Sequence, residues 1–186
     1  MSSSKVLNRL LRRAAVPVIA SGLAFGMSVT LAGPAAASGS YSGRAYIYGP
    51  VAGTMTDDWT DEGVVNVATH RSSNVTCLWQ TILMADGYLS ASGVDGIFGD
   101  QTHAATVKWQ RDRGLVADGS AGRDTWTKAG TKLTDNGSDS DGYRYGGYNG
   151  TKFWFAVRRS NSTGNWGFYE EGGILRSAAY NSRTCS

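Results

Sequence analysis

The sequence predicts an α+β fold, a three-helix bundle with a small antiparallel β-sheet packed against it. Three observations predict it. Asp95-Gly96-Ile97-Phe98-Gly99-Asp100-Gln101-Thr102 reads Asp-Gly-x-x-Gly-x-x-Thr, and Asp118 to Thr125 repeats that pattern 23 positions later. Upstream, Val75, Leu78, Trp79, Ile82 and Leu83 are spaced as the apolar stripe of an amphipathic helix. Downstream, Lys152 to Arg159 alternates in the period of a strand, after Asn149-Gly150, a strong hairpin signal.

Residues 1–37 read as a secretion signal. Lys5, Arg9, Arg12 and Arg13 precede an apolar run from Ala14 to Gly33, and Ala35-Ala36-Ala37 supplies a cleavage site before Ser38. A retained anchor is the competing reading, since the run approaches spanning length. Pro17, Ser21, Ser28 and the glycines weaken it. Removal takes four basic residues away and leaves 14 basic against 15 acidic. That balance gives no basic patch for a nucleic-acid backbone, and no membrane partner is expected after cleavage. The expected location is secreted or extracellular.

Residues 38–65 form an N-terminal extended segment. Tyr41, Arg44, Tyr46, Tyr48 and Val51 suggest a short strand broken at Gly49-Pro50, and Val64 to Val67 suggests another. Between them Asp57, Asp58, Asp61 and Glu62 surround Trp59. A solvated loop with one anchoring tryptophan explains this cluster. A carboxylate pair for glycoside hydrolysis is the sharper alternative, with Asp58 or Glu62 in the working role.

Each copy of the repeat reads as a tight turn that feeds a helix. Asp-Gly is a turn dipeptide, and the second glycine lets the chain bend into the helix. Ala104 to Gln110 follows the first copy and Trp126 to Ala129 the second. Ser72, Ser73 and Asn74 are N-cap candidates for the first helix. Leu78, Ile82, Leu83, Phe98, Ala105, Trp109, Leu115, Trp126 and Leu133 read as core, and His103 as a solvated residue on an outer helix face.

Leu78-Trp79-Gln80, Gly87-Tyr88, Val94 to Gly99, Thr102, Ala105, Val107, Trp109-Gln110, Gly114-Leu115, Asp118-Gly119, Gly122 and Thr125-Trp126 resemble the peptidoglycan-binding domain of the small three-helix kind. The resemblance covers roughly residues 66–133, and a dozen positions agree in order and spacing. It implies a non-catalytic, metal-free bundle, without cofactor, that docks on the glycan or stem peptide of the bacterial wall. The expected contacts are polar or aromatic groups near the two turns: Tyr88, Asp95, Gln101, Thr102, Gln110, Asp118, Arg123 and Thr125. For Asp95 and Asp118, capping alone is the favoured role.

Thr134 to Gly142 has the composition of a linker or exposed loop. Residues 143–186 then read as an antiparallel meander of three or four strands. Tyr145, Tyr148, Trp154, Trp166 and Arg158 are candidates for an exposed platform for glycan or a protein partner, although a small sheet needs half of them for its core. Cys77 and Cys185 are the only cysteines, and in an oxidising compartment they predict one disulfide. His70 and His103, the only histidines, make no zinc site with them, and no Gly-x-Ser-x-Gly elbow is present. The sequence therefore predicts a binding protein and not an enzyme. A protein-interaction or inhibitor module built on the aromatic sheet is the alternative, and a minimal wall hydrolase the more distant one.

Overall fold

The computed structural model describes residues 43–185, all within one compact unit; the secretion signal and Tyr41 lie outside them. Three helices come first: α1 (Asn74–Ala85), α2 (Asp100–Arg111) and α3 (Arg123–Gly130). The strands β1 (Leu133–Ser138), β2 (Tyr143–Asn149), β3 (Trp154–Ser160), β4 (Trp166–Tyr169) and β5 (Leu175–Ser177) follow. Each strand pairs antiparallel with its chain neighbour, so the sheet is a meander ordered β1-β2-β3-β4-β5. The predicted α+β class holds.

Local chemistry explains the first helix. Ser73 stands in extended backbone and its hydroxyl accepts from the Thr76 N–H at 3.0 Å, a cap on one of the unpaired first-turn amides. Asn74 opens a glycosylation-like triplet, yet it is buried and clasped by the chain end. Its N–H donates to the Ser182 carbonyl, and its side-chain oxygen accepts from Thr184 N–H. The same tail carries Cys185 into a disulfide with Cys77. Helix and tail are thus joined covalently and by hydrogen bonds.

One aromatic core serves both parts. Trp79 packs edge-on against Trp109 and Trp126, at 5.1 and 5.4 Å between ring centroids. Trp126 meets Trp59 at 5.6 Å, and Trp59 meets Trp166 at 5.3 Å and Tyr148 at 6.2 Å. Such pairs contribute roughly 0.5–1.5 kcal/mol each beyond the area they bury. Trp59, from the acidic segment, is therefore the wedge that makes bundle and sheet one hydrophobic body.

Several expectations need correction. Thr134 to Ser138 is strand β1, not linker. Its turn-like residues are held by Arg144, whose Nε donates to both Asp135 oxygens at 2.9 and 2.8 Å, and by Met55 N–H donating to Asp135. A bulge between Asp135 and Gly137 absorbs the irregularity, with Gly137 at φ +90°. Residues 143–186 supply four strands, within the expected three or four, and β1 adds a fifth. Residues 64–67 form only a bridge, Val65 with Ala121. The N-terminal segment likewise contributes bridges, Tyr46 with Ala179 and Tyr48 with Asn165. Asn149-Gly150 does not close a two-residue hairpin: Asn149 pairs with Trp154, leaving a four-residue loop. That loop is recruited elsewhere, since Lys152 N–H donates to the Ala85 carbonyl and Thr151 N–H to Asp86.

Candidate functional site

The two repeated turns are built alike from the inside. Gln80, on α1, is fully buried beneath the first. Its side-chain oxygen accepts from the N–H groups of Asp95 (3.1 Å) and Gly96 (2.7 Å). Its amide nitrogen lies within hydrogen-bond distance of the Asp95 carboxylate (2.9 Å), the Ile97 carbonyl (3.1 Å) and the Thr102 hydroxyl (2.9 Å). Gln110, on α2, does the same beneath the second. Gly119 N–H donates to its oxygen at 2.9 Å, and its nitrogen meets Asp118 (2.9 Å), the Ser120 carbonyl (2.9 Å) and the Thr125 hydroxyl (3.0 Å). In each turn the Asp also accepts from the N–H two residues on, from Ile97 and from Ser120. Asp, Gly and Thr of the repeated phrase are therefore the receptors of a buried glutamine. A Trp-Gln pair, Trp79-Gln80 and Trp109-Gln110, precedes each turn and belongs to the repeat.

The outer faces of the turns differ. A side chain at Gly96 would meet Cys185 Sγ at 2.6 Å and the Arg183 stem at 3.0 Å, and Arg183 donates to the Asp95 carbonyl at 2.8 Å. The chain end lies directly on the first turn. A side chain at Gly119 would instead meet the His103 ring at 2.1 Å. His103 is thus half-buried against the second turn, which corrects its expected place on a solvated face.

A buried carboxylate joins the bundle to the sheet. One oxygen of Asp86 accepts from Trp109 Nε1 (2.7 Å), Arg113 (2.7 Å) and the Tyr148 hydroxyl (2.8 Å), and the other from Thr151 N–H (3.0 Å). Burial, with Asp86 beside it, pushes the Tyr148 hydroxyl far above the ordinary tyrosine value. The Tyr148 proton stays in place as a donor.

Residues 74–128 match the family described as "Putative peptidoglycan binding domain". The match spans all of α1 and α2, most of α3 and both braced turns, a narrower range than the 66–133 of the resemblance. No solved structure matches the chain.

Within the matched residues the eight expected contact residues separate by burial. Thr102, Gln110 and Thr125 are buried and bonded within the turns, so the expectation that they face outward is corrected. Their polar atoms are spent on bonds within the turns. Asp95 and Asp118 are half-buried and hold their own turns. Tyr88 lies apart, its hydroxyl donating to Asp112 at 2.8 Å and accepting from Arg113 at 3.1 Å. Gln101 and Arg123 are exposed on the first turns of α2 and α3, and Arg123 donates to the Thr60 carbonyl.

The acidic segment divides: Asp57 and Asp61 are exposed, while Asp58 and Glu62 are interior. Arg159, fully buried on β3, donates to Asp58 at 2.6 Å and to the Thr54 and Gly53 carbonyls, and Trp166 Nε1 donates to Asp58 at 3.0 Å. Burial raises the Asp58 pKa, against the pull of Arg159. Glu62 accepts from the Tyr180 hydroxyl at 2.6 Å and from Tyr48 N–H at 3.2 Å; burial pushes it up to about 8. Neither of these two carboxylates is solvated, so the solvated-loop reading is corrected for Asp58 and Glu62 and stands for Asp57, Asp61 and the anchoring Trp59. Of the expected aromatic platform, Tyr148 and Trp166 are core, and Trp154 is exposed. Among the described residues, no helix is long and apolar enough to cross a membrane.

Proposed function

We propose that this is a secreted, non-catalytic protein that binds bacterial cell-wall peptidoglycan through its helical domain. The match of residues 74–128 to the peptidoglycan-binding domain family carries the reading. Exposed Gln101 and Arg123, with half-buried Asp95 and Asp118 beside them, are the contacts within the domain. Buried Thr102, Gln110 and Thr125 hold the backbone that presents them. Secretion is supported by the leader over residues 1–37 and by the Cys77–Cys185 disulfide, which suits an oxidising compartment.

The non-catalytic role is supported by the two carboxylates best placed in sequence for hydrolysis. Asp58 is engaged by Arg159 and Trp166, and Glu62 by Tyr180, both inside the core. A hydrolase needs its acid and base at a bond that substrate can reach. The test is co-sedimentation of the oxidised protein from Ser38 onward with insoluble peptidoglycan, with the supernatant assayed for released muropeptides. Protein in the pellet with no release is the expected result. Release abolished by Glu62→Gln would make it an enzyme, and protein left wholly in the supernatant would end the wall-binding reading.

A further inference from the structure

All six tryptophans lie among the described residues, and they divide five to one. Trp59, Trp79, Trp109, Trp126 and Trp166 are at most 2% exposed, whereas Trp154 is 50% exposed. Trp154 opens β3 and leans its indole over Gly147 of β2. A methyl group added at Gly147 would sit 1.9 Å from the indole nitrogen. The absent side chain at Gly147 gives the ring its seat, so a large apolar face is both held and open to solvent.

Beside it lies a groove of about 460 Å³, with Thr81 and Met84 of α1 on one wall and, on the other, Trp154 and Tyr169 of the sheet with Phe153 of the loop before β3. Glu170 and Glu171 also line it. A smaller hollow of about 220 Å³ shares Thr81, Met84 and both glutamates and continues past Ile174. Arg176 binds Glu170 at 2.8 Å, so of the two glutamates that line the groove Glu171 is the one without an ion pair among the described residues. One wall of the groove thus belongs to the matched residues 74–128, and the other to the sheet outside them.

We infer that this groove is a second contact surface for peptidoglycan and takes a muropeptide, with a sugar ring on Trp154 and a stem-peptide ammonium at Glu171. The inference rests on the wall-binding reading above, because the helical domain is what would bring the polymer to α1. The chemistry fits the occupant. A pyranose has an apolar C–H face that lies on an aromatic ring, and polar edges that need donors and acceptors around it. A diamino-acid residue in a stem peptide carries a cation that an unpaired carboxylate attracts. The volume lies in the range of small-molecule sites, which are mostly apolar with a few placed polar groups. A protein partner fits less well, since a stable interface buries roughly 1,200–2,000 Å² and this hollow is narrow and concave.

The tryptophan division also supplies the assay. In the oxidised protein from Ser38 onward, acrylamide reaches Trp154 and hardly any other indole. A soluble disaccharide–tetrapeptide muropeptide is expected to lower the quenching slope as it binds. Trp154→Ala is expected to weaken its binding about tenfold in calorimetry, the loss of one aromatic contact. Glu171→Gln, an exposed change that leaves the core intact, is expected to weaken muropeptides with a free diamino-acid ammonium several-fold. Muropeptides whose amine is acetylated should bind both proteins equally. Unchanged quenching, with Trp154→Ala and Glu171→Gln both within twofold of wild type, would overturn the groove while pelleting with insoluble wall kept the underlying reading. Failure of the wild type to pellet would overturn both.

Discussion

The two turns of the helical domain share an interior and differ outside. Beneath each, a buried glutamine accepts from the turn backbone, two N–H groups in the first and one in the second, and donates to an Asp, a carbonyl and a Thr hydroxyl. Above the first lies the chain end, fixed by the Cys77–Cys185 bond; above the second lies the His103 ring. Their flanks differ as well. Arg71 and Ser73 bond to the first turn, whereas the second bonds to Val65, three residues beyond buried Glu62. A repeated sequence therefore specifies a repeated brace, while distant segments decide which turn remains reachable. One turn lies under a redox bond, and the other bonds to a segment that starts three residues after a buried carboxyl.

The largest effects should come from removing the braces. Gln80→Ala leaves two backbone N–H groups and the groups around the amide unsatisfied, and is expected to cost about 3–5 kcal/mol in denaturant unfolding. Gln110 accepts from one backbone N–H only, so Gln110→Ala should cost about 2–4 kcal/mol. Equal and small losses would mean that the turns stand without their glutamines.

Cutting the disulfide should separate the turns. Cys185→Ser releases a closure with a sequence separation of 108, for which the chain-entropy model gives about 4–5 kcal/mol as an upper figure and measured disulfides about 2–4. Amide hydrogen exchange should quicken at Asp95 to Gly99 and stay slow at Asp118 to Gly122. Matching changes in both turns would break the asymmetry.

The pH dependence should fall on the other side. Glu62 titrates near 8 when folded and near 4.5 when unfolded, so between those values the unfolded chain binds fewer protons. Its contribution to stability is full below about pH 4.5 and is lost as pH rises through about 8. Unfolding of the wild type should show this fall, by about 2–4 kcal/mol, with exchange at Val65 and Ala121 quickening first. Glu62→Gln should flatten the curve; a wild-type curve that rises over the same window would contradict the burial argument.

The smallest pair compares glycines. Gly96 and Gly119 both have positive φ, +70° and +73°, so alanine strains either by about 1 kcal/mol. His103 can swing aside for a methyl group at residue 119, but a disulfide sulfur at residue 96 cannot. Gly96→Ala should therefore cost about 1 kcal/mol more than Gly119→Ala in thermal unfolding. The reverse order would mean that the tail is the looser cover.

Sequence legibility followed the range of the interactions. The α1 stripe, the Ser73 cap, the repeated turns and the β3 alternation are local, and each stands where its residues predict. Gln80 and Gln110 reach partners 8 to 22 residues away, and only the Trp-Gln pair ahead of each turn hints at that role. Asp58 finds Arg159 across 101 residues and Glu62 finds Tyr180 across 118, so neither burial can be read from the acidic segment itself. Strand β1 was hidden because its turn-like composition is overridden by Arg144 and a ladder with β2. The eight expected contacts share one signal, polarity near a turn. That signal does not separate Gln101, which faces water, from Gln110, which fills the turn.

The measurement that tests wall binding by the helical domain most directly is hydrogen exchange of the oxidised protein, free and bound to insoluble peptidoglycan. The account predicts slowed exchange around Gly99 to His103 and Gly122 to Thr125, where Gln101 and Arg123 reach outward. Protein held in the pellet with exchange unchanged throughout residues 74–128 would contradict it, because the wall would then be gripped by something other than the helical domain.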